Sequence, residues 1–244
     1  MIIRPEIFSR FPELLAAQST RLGGVSPMPY GMNLSSHVGD EQANVDENRR
    51  RYFEAIGVPE QARAVYQNQV HSATIHVASG EEGIVRECDG LITERPNVLL
   101  GVTIADCTPV LIYDPKHRVI AAIHAGWRGT EQMITLSTVR KMVSLGSEPG
   151  DLYAFIGASA SQERYEVGLE VATLFEYDHL IEKEGQKFLL DVKGVNRQQL
   201  TYAGIPETQI EQSPLCSIGD DRLHSYRRDG KQSGRMLAVI MMRG

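Results

Sequence analysis

Between residues 62 and 125 the apolar positions come in short runs and not at the three-to-four spacing of a helix. ARAVYQ, ATIHVAS, LITE, VLLGVTIA, PVLIYD and VIAAIHA follow one another with turn-forming residues between them, and short β-branched runs punctuated in this way predict strands. On either side the period changes. NVDENRRRYFEAIGVPE places Val45, Tyr52, Phe53 and Ile56 at helical spacing and stops at Gly57 and Pro59, which predicts a helix over 45–56. Thr130 to Leu145 carries Met133, Ile134, Leu136, Val139, Met142 and Val143, and predicts an amphipathic helix closed by Gly146. A strand at 152–157, helices near 166–178 and 195–203 and a last strand at 236–242 complete the pattern. Residues 20–40, rich in Gly and Pro, read as a long ordered loop. The fold class is therefore α/β (α+β), with mixed, largely antiparallel central sheets flanked by helices; hairpins between adjacent runs argue against a purely parallel sheet. No repeat, low-complexity tract or linker divides the chain, so one domain over 1–244 is expected.

Composition narrows the function classes. A net charge of −6 gives no general attraction to nucleic acid or an anionic membrane. The N-terminal stretch MIIRPEIFSRFPELLAAQST has charges scattered through it, so neither a signal peptide nor a membrane span is expected, and the cytoplasm is the default location. Three widely spaced cysteines, Cys88, Cys107 and Cys216, do not suggest a disulfide framework. Oligomeric state is not legible.

One apolar run ends unusually. VIAAIHA stops on His124 and leads at once into Gly126, the only tryptophan Trp127, Arg128 and Gly129. Asp114 and Pro115 favour a tight reversal before it. If Tyr113 closes the hairpin opposite Arg118, paired numbers sum to 231, and Cys107 faces His124 directly, at the roughly 4.5–5.5 Å of a cross-strand pair. Pro109 cannot donate to the ladder, so it implies an edge or a bulge. A third group, His71, would turn the pair into a three-ligand site with an open position, as in catalytic zinc. The spacings, 107 − 71 = 36 and 124 − 107 = 17, match no short metal motif. Two other chemistries fit the same residues. Cys107 can be a nucleophile with His124 as its base, or the trio can staple the sheet with no catalysis. After His124 the Gly-rich turn and helix start offer free N–H groups to an anion, with Arg128 as a bidentate partner and Trp127 as a wall for a planar ring.

Several motifs carry a family resemblance. QVH (69–71), ADCTPVLIYDP (105–115), HAGWRG (124–129), RLGGVS (21–26), NLSSHVGD (33–40), ENRRR (47–51), YEVG (165–168) and SYRRDG (225–230) are similar to those of the bacterial YfiH/YlmD family, also called the laccase-domain or multicopper polyphenol oxidoreductase family. The resemblance implies zinc held by His71, Cys107 and His124. It implies phosphorolysis of purine nucleosides (adenosine, inosine, guanosine, methylthioadenosine) with inorganic phosphate, and deamination of adenosine. It also implies a fold like that of a cytotoxic deamidase toxin. Other descriptions of the family imply copper-dependent oxidation of phenols, or hydrolysis of a peptidoglycan precursor. Blue multicopper oxidases need many His in H-x-H pairs; here there are 7 His and no such pair, although a thiolate and imidazole site accepts copper readily. The chain departs from the family at IGASASQERYEVG, at Ser36 and at ECDG, which keeps Asp89.

Candidate substrate contacts are Arg49, Gln69, Arg128, Glu166 and Arg227, with the arginines for phosphate or ribose and Glu166 as proton donor or acceptor on the base. Each has a plainer alternative. Two of the three ENRRR arginines are expected in solvent, Arg227 and Arg228 can form salt bridges, and Glu166 can simply begin a helix. Asp106 accepts turn N–H groups or braces a ligand, His37 lines the pocket or satisfies its own loop, and Cys88 and Cys216 read as packing or free thiols.

Overall fold

The computed structural model describes residues 2–183 and 187–244. Its central hairpin, Thr108–Asp114 with Val119–Ala125, lies inside a six-stranded sheet whose order is Ile210–Gln212, Tyr153–Ile156, Thr108–Asp114, Val119–Ala125, Gly90–Thr93 and Ile75–Val77. A second six-stranded sheet runs Ile2–Ile3, Leu14–Ser19, Met236–Met242, Val98–Ile104, Arg63–Gln67 and Ile84–Val85. In both, the middle strands pair antiparallel and parallel pairs lie toward the edges.

Burial on both faces explains why the strands read as continuous apolar runs. Leu111, Tyr113, Ile120 and Ala122 of the hairpin pack against Leu14, Ala16, Leu100, Val102, Met236, Ala238 and Ile240 of the second sheet. The hairpin's alternate residues, Val110, Ile112, Ala121 and Ile123, lie under helices Ile134–Ser144 and Val192–Tyr202 through Ile134, Val139, Met142 and Leu200. Leu15, Ala17, Leu99, Leu237, Val239 and Met241 turn outward, toward Tyr52 and Ile56 of helix Gln42–Ile56. The layers are thus helix, sheet, sheet, helix. Gln18, buried in the second sheet, ties the two sheets together: its Nε2 donates to the Ala158 carbonyl at 2.8 Å and its Oε1 accepts from Ala158 N–H at 2.8 Å. No helix among the described residues is long and apolar enough to cross a membrane.

The last strand falls on 236–242 as expected, and the helices at 45–56 and 195–203 start three residues earlier. Four expectations need correction. The hairpin register sums to 233, with Asp114 opposite Val119 and Pro109 opposite His124. Asp114 stays in the strand because its Oδ1 accepts from Lys116 N–H (2.8 Å) and His117 N–H (3.0 Å), and the turn closes through Arg118 in the left-handed region. The shift is two residues, so facing side chains keep their faces. Pro109 sits in an interior strand, at its second position, where its carbonyl accepts from Gly157 N–H at 2.9 Å.

The helix expected over 130–145 is broken into Trp127–Glu131 and Ile134–Ser144, with Met133 in the left-handed region. Gln199 fills the gap: its Nε2 donates to the Thr130 carbonyl at 2.7 Å, which also accepts from Met133 N–H at 3.0 Å, and its Oε1 accepts from Leu136 N–H at 3.2 Å, a first-turn donor that the new helix start leaves without a helical partner. In place of a helix near 166–178 there is strand Glu166–Gly168, the single turn Leu169–Ala172 and the 3-10 turn Tyr177–His179. Tyr165 and Val167 alternate, and Glu166–Gly168 pairs with Lys187–Leu190, which also pairs with Leu180–Lys183. This small sheet has its own apolar cluster, against which Trp127 packs.

His224 is fully buried and neither ring nitrogen has a hydrogen-bond partner among the described residues. Burial first, then the charges of Arg21 and Arg235, push its pKa down to about 3, against a weaker pull from Asp229. The unfolded chain takes up a proton near pH 6.5 where the folded protein does not, so stability is full above that pH and falls as pH drops through the window from 6.5 toward 3. Between pH 8 and 5.5 this site should cost the folded protein about 1.4 kcal/mol. His224→Leu should lose that part of the slope; urea midpoints at the two pH values test it, and parallel slopes would refute it.

Candidate metal centre

His71, Cys107 and His124 converge at one rim where the two sheets meet. His71 follows strand Arg63–Gln67, Cys107 lies in the bend where the chain passes from Val98–Ile104 to Thr108–Asp114, and His124 is the last residue but one of strand Val119–Ala125. Their ligand atoms all lie within 4.8 Å of one another, and no other group of three such donors occurs among the described residues. The imidazole rings are edge-on at 4.9 Å between centroids. Extending the observed register by one residue sets Cys107 opposite Gly126, not His124. A Cβ on Gly126 would lie 2.7 Å from His71 Nδ1 and 3.1 Å from Cys107 Sγ, so the glycine leaves room for the donors to close.

Asp89 organises this trio, and it did not stand out in the sequence beyond its place in ECDG. Its carboxylate, with no solvent exposure, accepts from Val70 N–H (3.2 Å), His71 N–H (3.1 Å), Ser72 N–H (2.7 Å), Ser72 Oγ (2.9 Å) and His124 Nδ1 (2.8 Å). Three successive N–H groups with His71 in the left-handed region form a concave anion nest, here filled by a side chain. Burial works against the charged carboxyl, but the His124 and Ser72 hydrogen bonds outweigh it and hold its pKa at about 2. An ionised Asp89 turns the His124 Nδ1–H toward itself and leaves Nε2 for the centre.

Burial raises the Cys107 pKa, and the charge and hydrogen bond of His124, then those of His71, more than reverse this. His124 moves the other way: burial lowers its pKa, while Cys107 and Asp89 raise it. The pair favours a thiolate. A thiolate and two imidazoles, one oriented by a carboxylate, are a donor set that fits a borderline-soft divalent metal, three from the protein with room for a fourth.

The remaining candidates lie as follows. Trp127 has the Arg128 guanidinium 4.2 Å over its ring, and Arg128 is exposed. Arg227, also exposed, lies 4.9 Å over the Tyr165 ring and donates from Nη1 to the Glu166 carbonyl at 2.6 Å. Its backbone N–H donates to Asp106 Oδ2 at 2.6 Å, and Asp106 Oδ1 accepts from Ser217 Oγ at 2.7 Å. Asp106 thus pins the Cys107 bend to a distant segment and makes no bond to a ligand. Glu166 pairs with Lys187 (2.8 Å) and Lys183 (3.0 Å), which hold its carboxyl below the usual range. Gln69 spends its amide on Thr103, donating to the carbonyl (2.8 Å) and accepting from N–H (2.8 Å) and Oγ1 (2.9 Å). Arg49 Nε donates to the Leu34 carbonyl at 3.0 Å, whereas Arg50 and Arg51 pair with Glu47 in solvent. Arg228 pairs with Asp229 at 2.8 Å. His37 N–H is satisfied by Ser35 Oγ at 3.2 Å. All three cysteines are free; Cys88 is buried, and Cys216 Sγ accepts from Ser161 N–H at 3.4 Å. Burial lowers the pKa of Arg235, which is absent from the sequence candidates, against the opposing charges of Cys107, Tyr226 and Asp106.

The chain is similar to known proteins over nearly its whole length. A family model described as "Multi-copper polyphenol oxidoreductase laccase" matches residues 15–243. A Deinococcus radiodurans protein named purine nucleoside phosphorylase is 42% identical over 229 residues, covering 92% of this chain and 87% of that protein. Escherichia coli purine nucleoside phosphorylase YfiH is 33% identical over 234 residues, covering 93% of each. The crystal structure of YlmD from Geobacillus stearothermophilus superposes with a TM-score of 0.91 at 32% identity, covering 97% of this chain and 94% of that one. That of Bacillus licheniformis YfiH gives 0.90 at 32% identity, covering 94% and 93%. The chain belongs to the YfiH/YlmD family.

Proposed function

We propose that this protein is a zinc-dependent purine nucleoside phosphorylase that also deaminates adenosine. The observation that carries the reading is the His71, Cys107 and His124 cluster with its thiolate bias, in a chain that shares 42% identity with a protein of that name. When bound, zinc supplies a Lewis-acid position for a water or a substrate hydroxyl. The other groups bind and orient. Trp127 offers a ring face to the purine, backed by Arg128, and Arg227 reaches from Tyr165 toward the ribose. In phosphorolysis a phosphate oxygen bonds to C1′ as the bond from C1′ to the base nitrogen breaks, and the leaving nitrogen takes up a proton. In deamination water adds at C6 and ammonia leaves. Glu166, held ionised by two lysines, suits a hydrogen-bond acceptor on the base better than a proton donor.

A second reading is favoured by the 2.8 Å bond from His124 Nδ1 to Asp89: Cys107, His124 and Asp89 have the order of a nucleophile, its base and the group that orients the base. That would make the protein a thiol hydrolase, with an amide such as a peptidoglycan precursor as substrate and no need of metal.

Product analysis separates the two. Zinc-loaded protein with adenosine and phosphate should give adenine with ribose 1-phosphate, and inosine; Cys107→Ala should give none, and a chelator should stop the reaction until zinc returns. No product from folded, zinc-loaded wild type would overturn the phosphorylase reading. Amide hydrolysis that survives chelation but not Cys107→Ala would establish the second.

A further inference from the structure

The Arg235 guanidinium stacks on Tyr226, whose neighbour Arg227 donates its backbone N–H to Asp106, the residue beside Cys107, and the arginines around it differ in what neutralises them. Arg228 has Asp229 at 2.8 Å and donates to the carbonyls of Ser217, Asp220 and Leu223. Arg21 has Asp229 at 3.7 Å. Arg235 is half-buried, and among the described residues it has no carboxylate within ion-pair reach. Its Nη1 donates to the carbonyls of Ser233 (2.8 Å) and Gly234 (3.0 Å), and the guanidinium lies 5.6 Å over the Tyr226 ring. The Nε and Nη2 edge makes no hydrogen bond there. Arg49 is similar: half-buried, 5.1 Å over the Tyr66 ring, with Nε on the Leu34 carbonyl and no acidic partner among the described residues.

The two are tied through one residue. Leu34 N–H donates to the Arg235 carbonyl at 3.0 Å while the Leu34 carbonyl takes Arg49 Nε, and Asn33 Oδ1 accepts from Arg235 N–H at 2.9 Å. NLSS (33–36) therefore fixes both arginines. Partly burying a guanidinium without an acid is costly, and the cost is removed when an anion arrives. A planar fork with one open edge matches two oxygens of a tetrahedral oxyanion.

We propose that Arg235, with Arg49, forms the anion subsite of the metal pocket and binds the inorganic phosphate that attacks C1′. The choice of phosphate rests on the phosphorylase reading. Arg128 and Arg227, both exposed, are left for the base and the ribose.

The test uses zinc-loaded wild type, Arg235→Gln and Arg235→Lys. Their phosphate KM is measured at saturating nucleoside, and their Tm with and without inorganic phosphate in the absence of nucleoside. Loss of a charge-assisted fork should raise the phosphate KM of Arg235→Gln by roughly 30-fold, leave the nucleoside KM within about threefold, and abolish the phosphate-induced rise in Tm; Arg235→Lys should recover part of each. The lysine variant also guards against misfolding, since the backbone ties of residue 235 are retained in both. A phosphate KM and Tm response equal to wild type in Arg235→Gln would overturn the subsite. Phosphate stabilisation of wild type that Arg235→Gln loses, in a protein that cleaves no nucleoside, would uphold the anion site and defeat the phosphorylase reading.

Discussion

Asp89→Ala should lower the stability of the protein by about 4 kcal/mol, because several buried or half-buried donors lose their acceptor at once and each unpaired donor costs about 1–3 kcal/mol. Three of them are the successive N–H groups of Val70, His71 and Ser72, and a fourth is His124 Nδ1. Against a typical total of about 5–15 kcal/mol that is a large fraction. The loss falls where His71 is held in the left-handed region, a conformation that a non-glycine residue keeps only when its surroundings impose it. Metal affinity should drop as well, by roughly 10–100-fold, the usual effect of removing a carboxylate from a ligating histidine. Urea midpoints and metal content after equilibrium dialysis measure the two effects. Asp89→Asn keeps one acceptor oxygen and should fall between. An unchanged midpoint in Asp89→Ala would show that these hydrogen bonds do not hold the rim together.

Gly126→Ala should do the converse, leaving the fold nearly intact and removing the metal. The backbone of Gly126 is extended (φ −70°, ψ 167°), so alanine meets no conformational penalty. Its Cβ, however, would stand 2.7 Å from His71 Nδ1. His71 is the exposed member of the trio and swings aside at little cost, whereas Cys107 and His124 are held by packing. One donor of three is then displaced, and metal affinity should fall by more than about a hundredfold, beyond the loss of an outer hydrogen-bond partner. Phosphorolysis should fall with it, at a Tm of the metal-free protein within about 2 °C of wild type, as expected of a change worth well under 1 kcal/mol. A variant that still binds zinc stoichiometrically would refute the three-donor site. One that loses zinc but keeps full amide hydrolysis would favour the thiol triad, in which His71 has no part.

The hairpin shows where reading a sequence stops. Its apolar runs, its turn at Asp114 and Pro115 and the grouping of Cys107 with His124 were all visible, because a strand's two-residue period and a turn's residue preferences are local properties. The register was not. It depends on whether Asp114 spends its carboxylate on the turn from inside the strand, and a two-residue shift leaves the hydrophobic pattern unchanged. The broken helix after Trp127 has the same origin. Apolar spacing from 130 to 145 fits one helix, but Gln199, some seventy positions away, supplies the partners that let the chain turn at Met133.

The sequence by itself determined the order and kind of most elements and the burial of the central strands, since those follow from hydrophobic period and turn chemistry; the residues alone left His71, Cys107 and His124 open to a metal trio, a thiol dyad or a staple, and only the family resemblance implied the metal. The tertiary structure alone decided that Asp89 binds both histidine segments, that a Cβ on Gly126 would crowd the donors, and that the Arg235 guanidinium lies over Tyr226 with no carboxylate in ion-pair reach among the described residues. These are relations between residues far apart in the chain, and neither composition nor spacing carries the distance between them.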